Sequence, residues 1–175
     1  MIKDKIIDIN EIESLCNLQR KYNKKIITTN GCFDIVHSGH ALFLEKCKSY
    51  GDFLIVGINS DESTKLIKGE NRPINNQNER ATIIASMQAV DAVTIFSQTD
   101  PIDFLNKVKP HFHIKGGNDY LNKQLLESST VEKYGGKIIV IPSLGGSSTN
   151  IIQRILDLHP NGKADKKVQD IGYLK

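Results

Sequence analysis

Lys25-Ile26-Ile27-Thr28-Thr29-Asn30-Gly31-Cys32-Phe33-Asp34-Ile35-Val36-His37-Ser38-Gly39-His40 leaves an apolar, β-branched run through a glycine turn and enters a helix. Lys25–Thr29 reads as a buried strand and Gly39–Ser49 as the helix that follows. His37 and His40 stand three residues apart at the helix start, so both imidazoles can face one point beyond that end. A helix start also offers unpaired backbone amides and a partial positive charge, and Gly31 and Gly39 let a ligand approach the backbone closely. Two imidazoles, free amides and two glycines together describe a phosphate site.

Other readings of the same residues are open at this point. The two histidines could ligate a metal with Asp34 or Cys32 as a third group, although the usual helical zinc spacing is four and lacks an intervening glycine. They could also do no more than cap the helix. Neither G-x-x-x-x-G-K-[ST] nor G-x-G-x-x-G occurs, which leaves P-loop and dinucleotide-binding readings without support.

Outward from this stretch, Phe53–Ile58, Ala92–Phe96 and Lys137–Ile141 read as further buried strands, and His111–Lys115 as a weaker one running into Gly116-Gly117. Helix-length stretches lie between them at Ser60–Ile67, Asn78–Ala89, Pro101–Val108, Leu121–Tyr134 and Ser148–Leu158. The alternation predicts an α/β, Rossmann-like parallel sheet of about five strands with helices on both faces. Ligands of such sheets sit at the carboxyl ends of the strands. Asn10–Asn23 reads as an amphipathic packing helix with an Asn10–Glu13 capping box. Residues 1–159 are expected to form one domain, and the polar, lysine-rich residues 160–175 a loose tail.

Composition narrows the class. The 175 residues are 39% hydrophobic and 25% charged, an ordinary globular balance that argues against wholesale disorder. A formal charge of +3 suits an anionic small molecule and is too small to indicate nucleic acid. No apolar run reaches the roughly eighteen residues of a membrane span, and the opening residues carry no secretory signal pattern. Cys16, Cys32 and Cys47 form no C-x-x-C pair, so neither a disulfide framework nor a cysteine zinc site is expected, and a reduced, cytoplasmic protein is.

The pattern Gly31-x-Phe33-Asp34-x-x-His37-x-Gly39-His40 resembles that of the HxGH nucleotidylyltransferases, in their cytidylyltransferase-like branch. Within that branch, Lys68-Gly69-Glu70-x-Arg72-Pro73 and Lys115-Gly116-Gly117 are most similar to the heptose 1-phosphate adenylyltransferases, and the resemblance runs from about Lys24 to Leu158. It implies the nucleotidylyltransferase fold and attack of a sugar 1-phosphate on the α-phosphorus of ATP, with magnesium accompanying the ATP. Such a nucleophile is already anionic, so positioning and charge neutralisation can supply most of the acceleration.

Carried onto these positions, the resemblance implies that His37, His40 and Lys68 are catalytic. Asn30, Gly31, Cys32, Phe33 and Gly39 would receive the phosphates, Phe33 with its ring packed beneath the loop, and Lys68 would close over them from a flexible loop. Arg80 matches a family position and suits bidentate phosphate contact. Ser147, Ser148 and Thr149, at another helix start, would form a second anion site, with Ser148 as a good N-cap. Lys115, Gly116 and Gly117 would lie along the adenine. Asp34, Asn59, Asp61 and Arg72 are weaker candidates for the acceptor side. The implied partners are ATP and a sugar 1-phosphate, with no nucleic acid and no membrane; family members commonly pair as homodimers.

Two departures stand out. Ser148 replaces a threonine usual in the G-x-S-T-T segment, and Asn118 separates the paired glycines from Asp119-Tyr120. The rivals are a glycerol 3-phosphate cytidylyltransferase, which carries an arginine where Pro142-Ser143-Leu144 has none, and a non-catalytic nucleotide-binding module.

Overall fold

Ile26–Gly31, rich in β-branched side chains, forms strand β1 at the middle of a five-stranded parallel sheet. The computed structural model describes residues 1–121 and 123–159. The other strands are β2 (Phe53–Asn59), β3 (Ala92–Phe96), β4 (Phe112–Gly116) and β5 (Lys137–Ile141), in the order β3-β2-β1-β4-β5. The helices are α1 (Ile12–Lys21), α2 (Ser38–Lys48), α3 (Asp61–Lys68), α4 (Gln77–Ala85), α5 (Ile102–Val108), α6 (Ser128–Lys133) and α7 (Ser148–Leu158).

Successive strand residues go to opposite faces, which divides the core in two. Ile27 joins Leu54 and Val56 against Leu44 of α2 and Ile84 of α4. Its neighbour Ile26 joins Ile55 against Ile12 of α1 and Phe104 and Leu105 of α5. The sheet is therefore covered on both sides, as the alternation of elements predicts.

The strand order reverses at β1. There β1 pairs with β2 along its whole length, from Ile26 opposite Phe53 to Gly31 opposite Ile58. With β4 it pairs only at Ile27–Phe112 and Thr28–His113. The two strands separate before Asn30 and Lys115, and a crevice opens at their carboxyl ends, where open α/β sheets bind ligands.

Several expectations need correction. Leu121–Tyr134 is not one helix: a short 3-10 turn covers Asn118–Tyr120, and α6 is confined to Ser128–Lys133. Glu127, at the cap of α6, turns its carboxylate inward, and Leu126 lies exposed, so no continuous apolar face runs through the segment. Asn10 does not cap α1; Glu11 occupies that position without a side-chain bond, and the Asn10 amide donates to Asp8 Oδ1. Helix α4 ends at Ala85, and Lys68 is the last residue of α3, not a loop residue. The expected tail, 160–175, lies outside the described residues.

Candidate active site

The crevice between β1 and β4 widens into a cleft of about 480 Å³, walled by the loops after β1, β4 and β5 and by the end of α3. His37 caps α2 in an extended conformation, and the helix carries His40 on its first turn. Their rings stack with centroids 3.9 Å apart, both on the cleft wall. The His37 amide donates to His40 Nδ1 at 3.3 Å. Because Nδ1 accepts, a neutral His40 carries its proton on Nε2. Burial, with His37 adding to it, pushes His40 down to about 4, so the ring is neutral at ordinary pH. Beneath it, Phe33 is buried with its ring 5.4 Å from that of His40, and its backbone holds a positive φ of 48°.

The loop between β5 and α7 forms the facing lip. A Cβ on Gly39 would stand 1.7 Å from the Gly145 carbonyl oxygen, so the two backbones pass too closely for any side chain there. Gly145 and Gly146 both hold positive φ. The cap of α7 is Ser147, whose Oγ accepts from the Asn150 amide at 3.3 Å. Ser148 is therefore not the cap: its Oγ donates to the Ile35 carbonyl at 2.8 Å and ties α7 to the β1–α2 loop. Ser147, Ser148 and Thr149 all line the cleft.

Among the described residues, the lining includes three permanent cations, Lys68, Arg72 and Lys115, against one carboxylate, Asp34. Asp34 pairs with Arg72, and Glu127, behind the wall, with Lys115, so Lys68 and the two helix starts are what suit the cleft to an anionic ligand. Asp34 is buried, yet its carboxyl is held low. Burial would raise it, but the Asn75 and Ile74 amides and the Arg72 guanidinium outweigh that effect. Oδ1 accepts from the Ile74 and Asn75 amides at 2.8 and 3.0 Å, and Oδ2 takes Arg72 Nε at 2.5 Å. The carboxylate thus fastens the segment after α3 to the cleft floor and aims the guanidinium. On the β4 side, Lys115 Nζ donates to Asn30 Oδ1 at 3.0 Å, bridging the separated strands. Gly116 and Gly117 continue that wall.

Three expected residues stand elsewhere. Arg80 is fully buried and donates to the carbonyls of Asn75, Cys32 and Asn59 and to Asp61 Oδ1. Four of its five N–H donors brace the loops behind the cleft, and the guanidinium does not line it. Asn59 is also buried, donating to Ser63 Oγ and the Gln98 carbonyl, and Asp61 is Arg80's ion-pair partner. Neither lines the cleft.

Other lining residues were not anticipated. Phe43 leaves no room for a side chain at Gly116, where a Cβ would lie 2.6 Å from its ring. The Tyr120 ring lies 5.1 Å from Lys115 Nζ. Phe43 follows His40 by three residues on one helix face, a signal the sequence does carry. Asn118 Oδ1, at the departure noted above, accepts from the Ser143 amide at 3.1 Å and links the two glycine loops.

A parallel α/β sheet with paired histidines at the first helix start, facing a glycine-rich second helix start, defines the nucleotidylyltransferase fold. The family model described as Cytidylyltransferase-like matches residues 28–154, and the chain belongs to that family. It is 46% identical over 145 residues to the "Bifunctional protein HldE" of Aliarcobacter butzleri, covering 83% of this chain and 30% of that protein. The protein of the same name from Desulfatibacillum aliphaticivorans is 43% identical over 152 residues, covering 86% and 31%. The chain thus spans about a third of the length of the curated relatives it matches. A solved pantoate-beta-alanine ligase from Francisella tularensis shares the fold, with a TM-score of 0.61 at 21% identity, over 97% of this chain and 81% of that one. A lipopolysaccharide core biosynthesis protein from Thermoplasma volcanium does so at TM-score 0.56 and 23% identity, over 71% and 99%. No helix among the described residues is long and apolar enough to cross a membrane.

Proposed function

We propose that this chain transfers AMP from ATP to D-glycero-β-D-manno-heptose 1-phosphate, giving ADP-heptose and pyrophosphate. The observation that carries the reading is the stacked His37–His40 pair at the start of α2, facing the α7 lip across a cleft that Lys68 borders. Identity to the HldE proteins over most of the chain supports the heptose substrate.

In this reading an oxygen of the sugar phosphate attacks the α-phosphorus, and the bond from that phosphorus to the pyrophosphate oxygen breaks. The nucleophile needs no base. His37 and the Nε2–H of neutral His40 donate to phosphate oxygens as charge moves onto the leaving group, and loss of one such donor costs on the order of 10²–10³ in rate. Lys68 neutralises charge at the mouth, Arg72 offers the N–H donors that Asp34 leaves free, and the α7 start receives the outer phosphates. Magnesium bound with ATP would supply further charge neutralisation. Among the described residues no group of three His, Cys, Asp or Glu gathers to hold it, Asp34 is already engaged, and no step here runs through the metal.

The test is pyrophosphate release with ATP, CTP, GTP and UTP, each paired with heptose 1-phosphate or glycerol 3-phosphate. Turnover confined to ATP with heptose 1-phosphate, and lost in His40→Ala, is expected. Turnover with CTP and glycerol 3-phosphate would overturn the substrate. Nucleotide binding without turnover for any pair would make the chain a binding module.

A further inference from the structure

Lys115 reaches the cleft from the end of β4, and behind it lies a buried polar chain that the proposed reaction does not use. Glu127 Oε1 stands 3.0 Å from Lys115 Nζ, and His113 Nε2 stands 3.7 Å from the same oxygen. His113 Nδ1 pairs with Thr28 Oγ1 at 2.8 Å. Glu127 is 5% exposed and His113 wholly buried. Burial would raise the Glu127 carboxyl, yet the adjoining His113 ring and Lys115 ammonium outweigh it and hold it down to about 2. Burial, aided by Lys115, pushes His113 down instead, so the imidazole is neutral. The complementary tautomer puts its proton on Nε2, toward the carboxylate, with Thr28 donating to Nδ1.

An ammonium has three N–H donors. For Lys115, Asn30 Oδ1 lies 3.0 Å away on one side and Glu127 Oε1 3.0 Å away on another, with the Tyr120 ring alongside at 5.1 Å. The Asn30 contact is a hydrogen bond and the Glu127 contact an ion pair, so donor capacity is left for a ligand in the cleft while the charge behind it is cancelled by a buried carboxylate. Such a group differs from Lys68, which has no ion-pair partner among the described residues. A compensated lysine gives little net attraction to a phosphate but keeps a fixed hydrogen bond for a neutral acceptor.

We infer that Glu127, backed by His113, is a positioning residue that turns Lys115 from a phosphate-seeking cation into a fixed donor for a neutral acceptor atom on the nucleoside half of the nucleotide. This rests on the proposed reading of the cleft as a nucleotide site. Lys115, with Gly116 and Gly117, lines the cleft from the loop after β4, whereas the helix starts assigned to the phosphates follow β1 and β5, which leaves the β4 wall to the nucleoside.

The experiment measures ATP affinity by titration calorimetry, together with KM and kcat for ATP and the melting temperature. It compares the full chain with Glu127→Gln, Lys115→Met and the double variant. Glu127→Gln is expected to weaken ATP binding about 5- to 30-fold with kcat at saturating ATP held within about twofold. In the Lys115→Met background the same change should add nothing, a coupling that a merely structural carboxylate would not show. Binding unchanged or tightened in Glu127→Gln, or effects that simply add, would overturn the inference; tightening would mean that Lys115 meets phosphate. Should Glu127→Gln not fold, Glu127→Asp takes its place: it keeps the charge, withdraws by one methylene and is expected to weaken ATP binding measurably. If another nucleotide binds in place of ATP, the ATP assignment fails while the coupling is read on that nucleotide. If none of ATP, CTP, GTP and UTP binds the unaltered chain, both fail.

Discussion

A Cβ on Gly146 would stand 2.3 Å from Nδ1 of His37, so the β5–α7 lip closes onto the first histidine with no space for a methyl group. Gly146 also holds φ at 73°, a region that L side chains rarely enter. Gly146→Ala must therefore move either the lip or the imidazole. The expected result is a fall in kcat/KM on the order of 10²-fold with the circular dichroism spectrum unchanged. Full activity in that variant would mean that the lip already stands away from His37 during turnover.

His40 links the site to pH. Its folded pKa is about 4 against an ordinary 6.5, so between those values the unfolded chain takes up a proton that the folded chain refuses. Stability is thus lost as pH falls through that window. His40→Asn removes that titration and should lessen the fall of melting temperature between pH 6.5 and 4, with the buried His113 keeping a share of it. An equally steep slope in the variant would place the effect on other groups.

Asp34 serves as a clamp, and Asp34→Asn tests it. The variant leaves Arg72 without its carboxylate and weakens acceptance from the Ile74 and Asn75 amides, at a cost of about 2–4 kcal/mol. Faster hydrogen exchange at those two amides and a lower urea midpoint are expected. Unchanged exchange at Ile74 and Asn75 would deny Asp34 that role.

Arg80 separates bracing from phosphate contact. Arg80→Met takes the guanidinium donors away from the carbonyls of Cys32, Asn59 and Asn75, and a loss of about 3–5 kcal/mol in urea unfolding is expected. If stability held while only the nucleotide KM rose, Arg80 would be a phosphate ligand after all.

The fold was legible because local signals agreed: the β-branched or apolar runs at 25–29, 53–58 and 92–96 have strand length, and the helix starts at Ser38 and Ser148 fall at or just after glycines. The weak run before Gly116 became a strand because Ile114 packs in the core and β1 and β5 flank it. His37, His40 and the lip residues were legible for the same reason, since backbone chemistry and side chains lie in one short stretch. Arg80 and Glu127 were not. Each reads as a solvated charge, or as a family match, until tertiary contacts show it buried, and burial of a long polar side chain depends on acceptors or donors far away in sequence. Asn59 fails similarly: a residue at a strand's carboxyl end can face a rim or the next helix, and here Ser63 and Gln98 decide.

The bond from Ser148 to the Ile35 carbonyl spans 113 positions of the chain. A nascent polypeptide that has built β1 and α2 already displays both histidines, but it lacks the wall that α7 supplies. The contacts that complete the cleft are among those of longest sequence separation, the kind whose loop-closure entropy is met late in folding. Ligand affinity in this architecture consequently arrives at the end of assembly, and a molecule that fills the cleft draws together early and late parts of the chain and shifts the folding equilibrium of the whole.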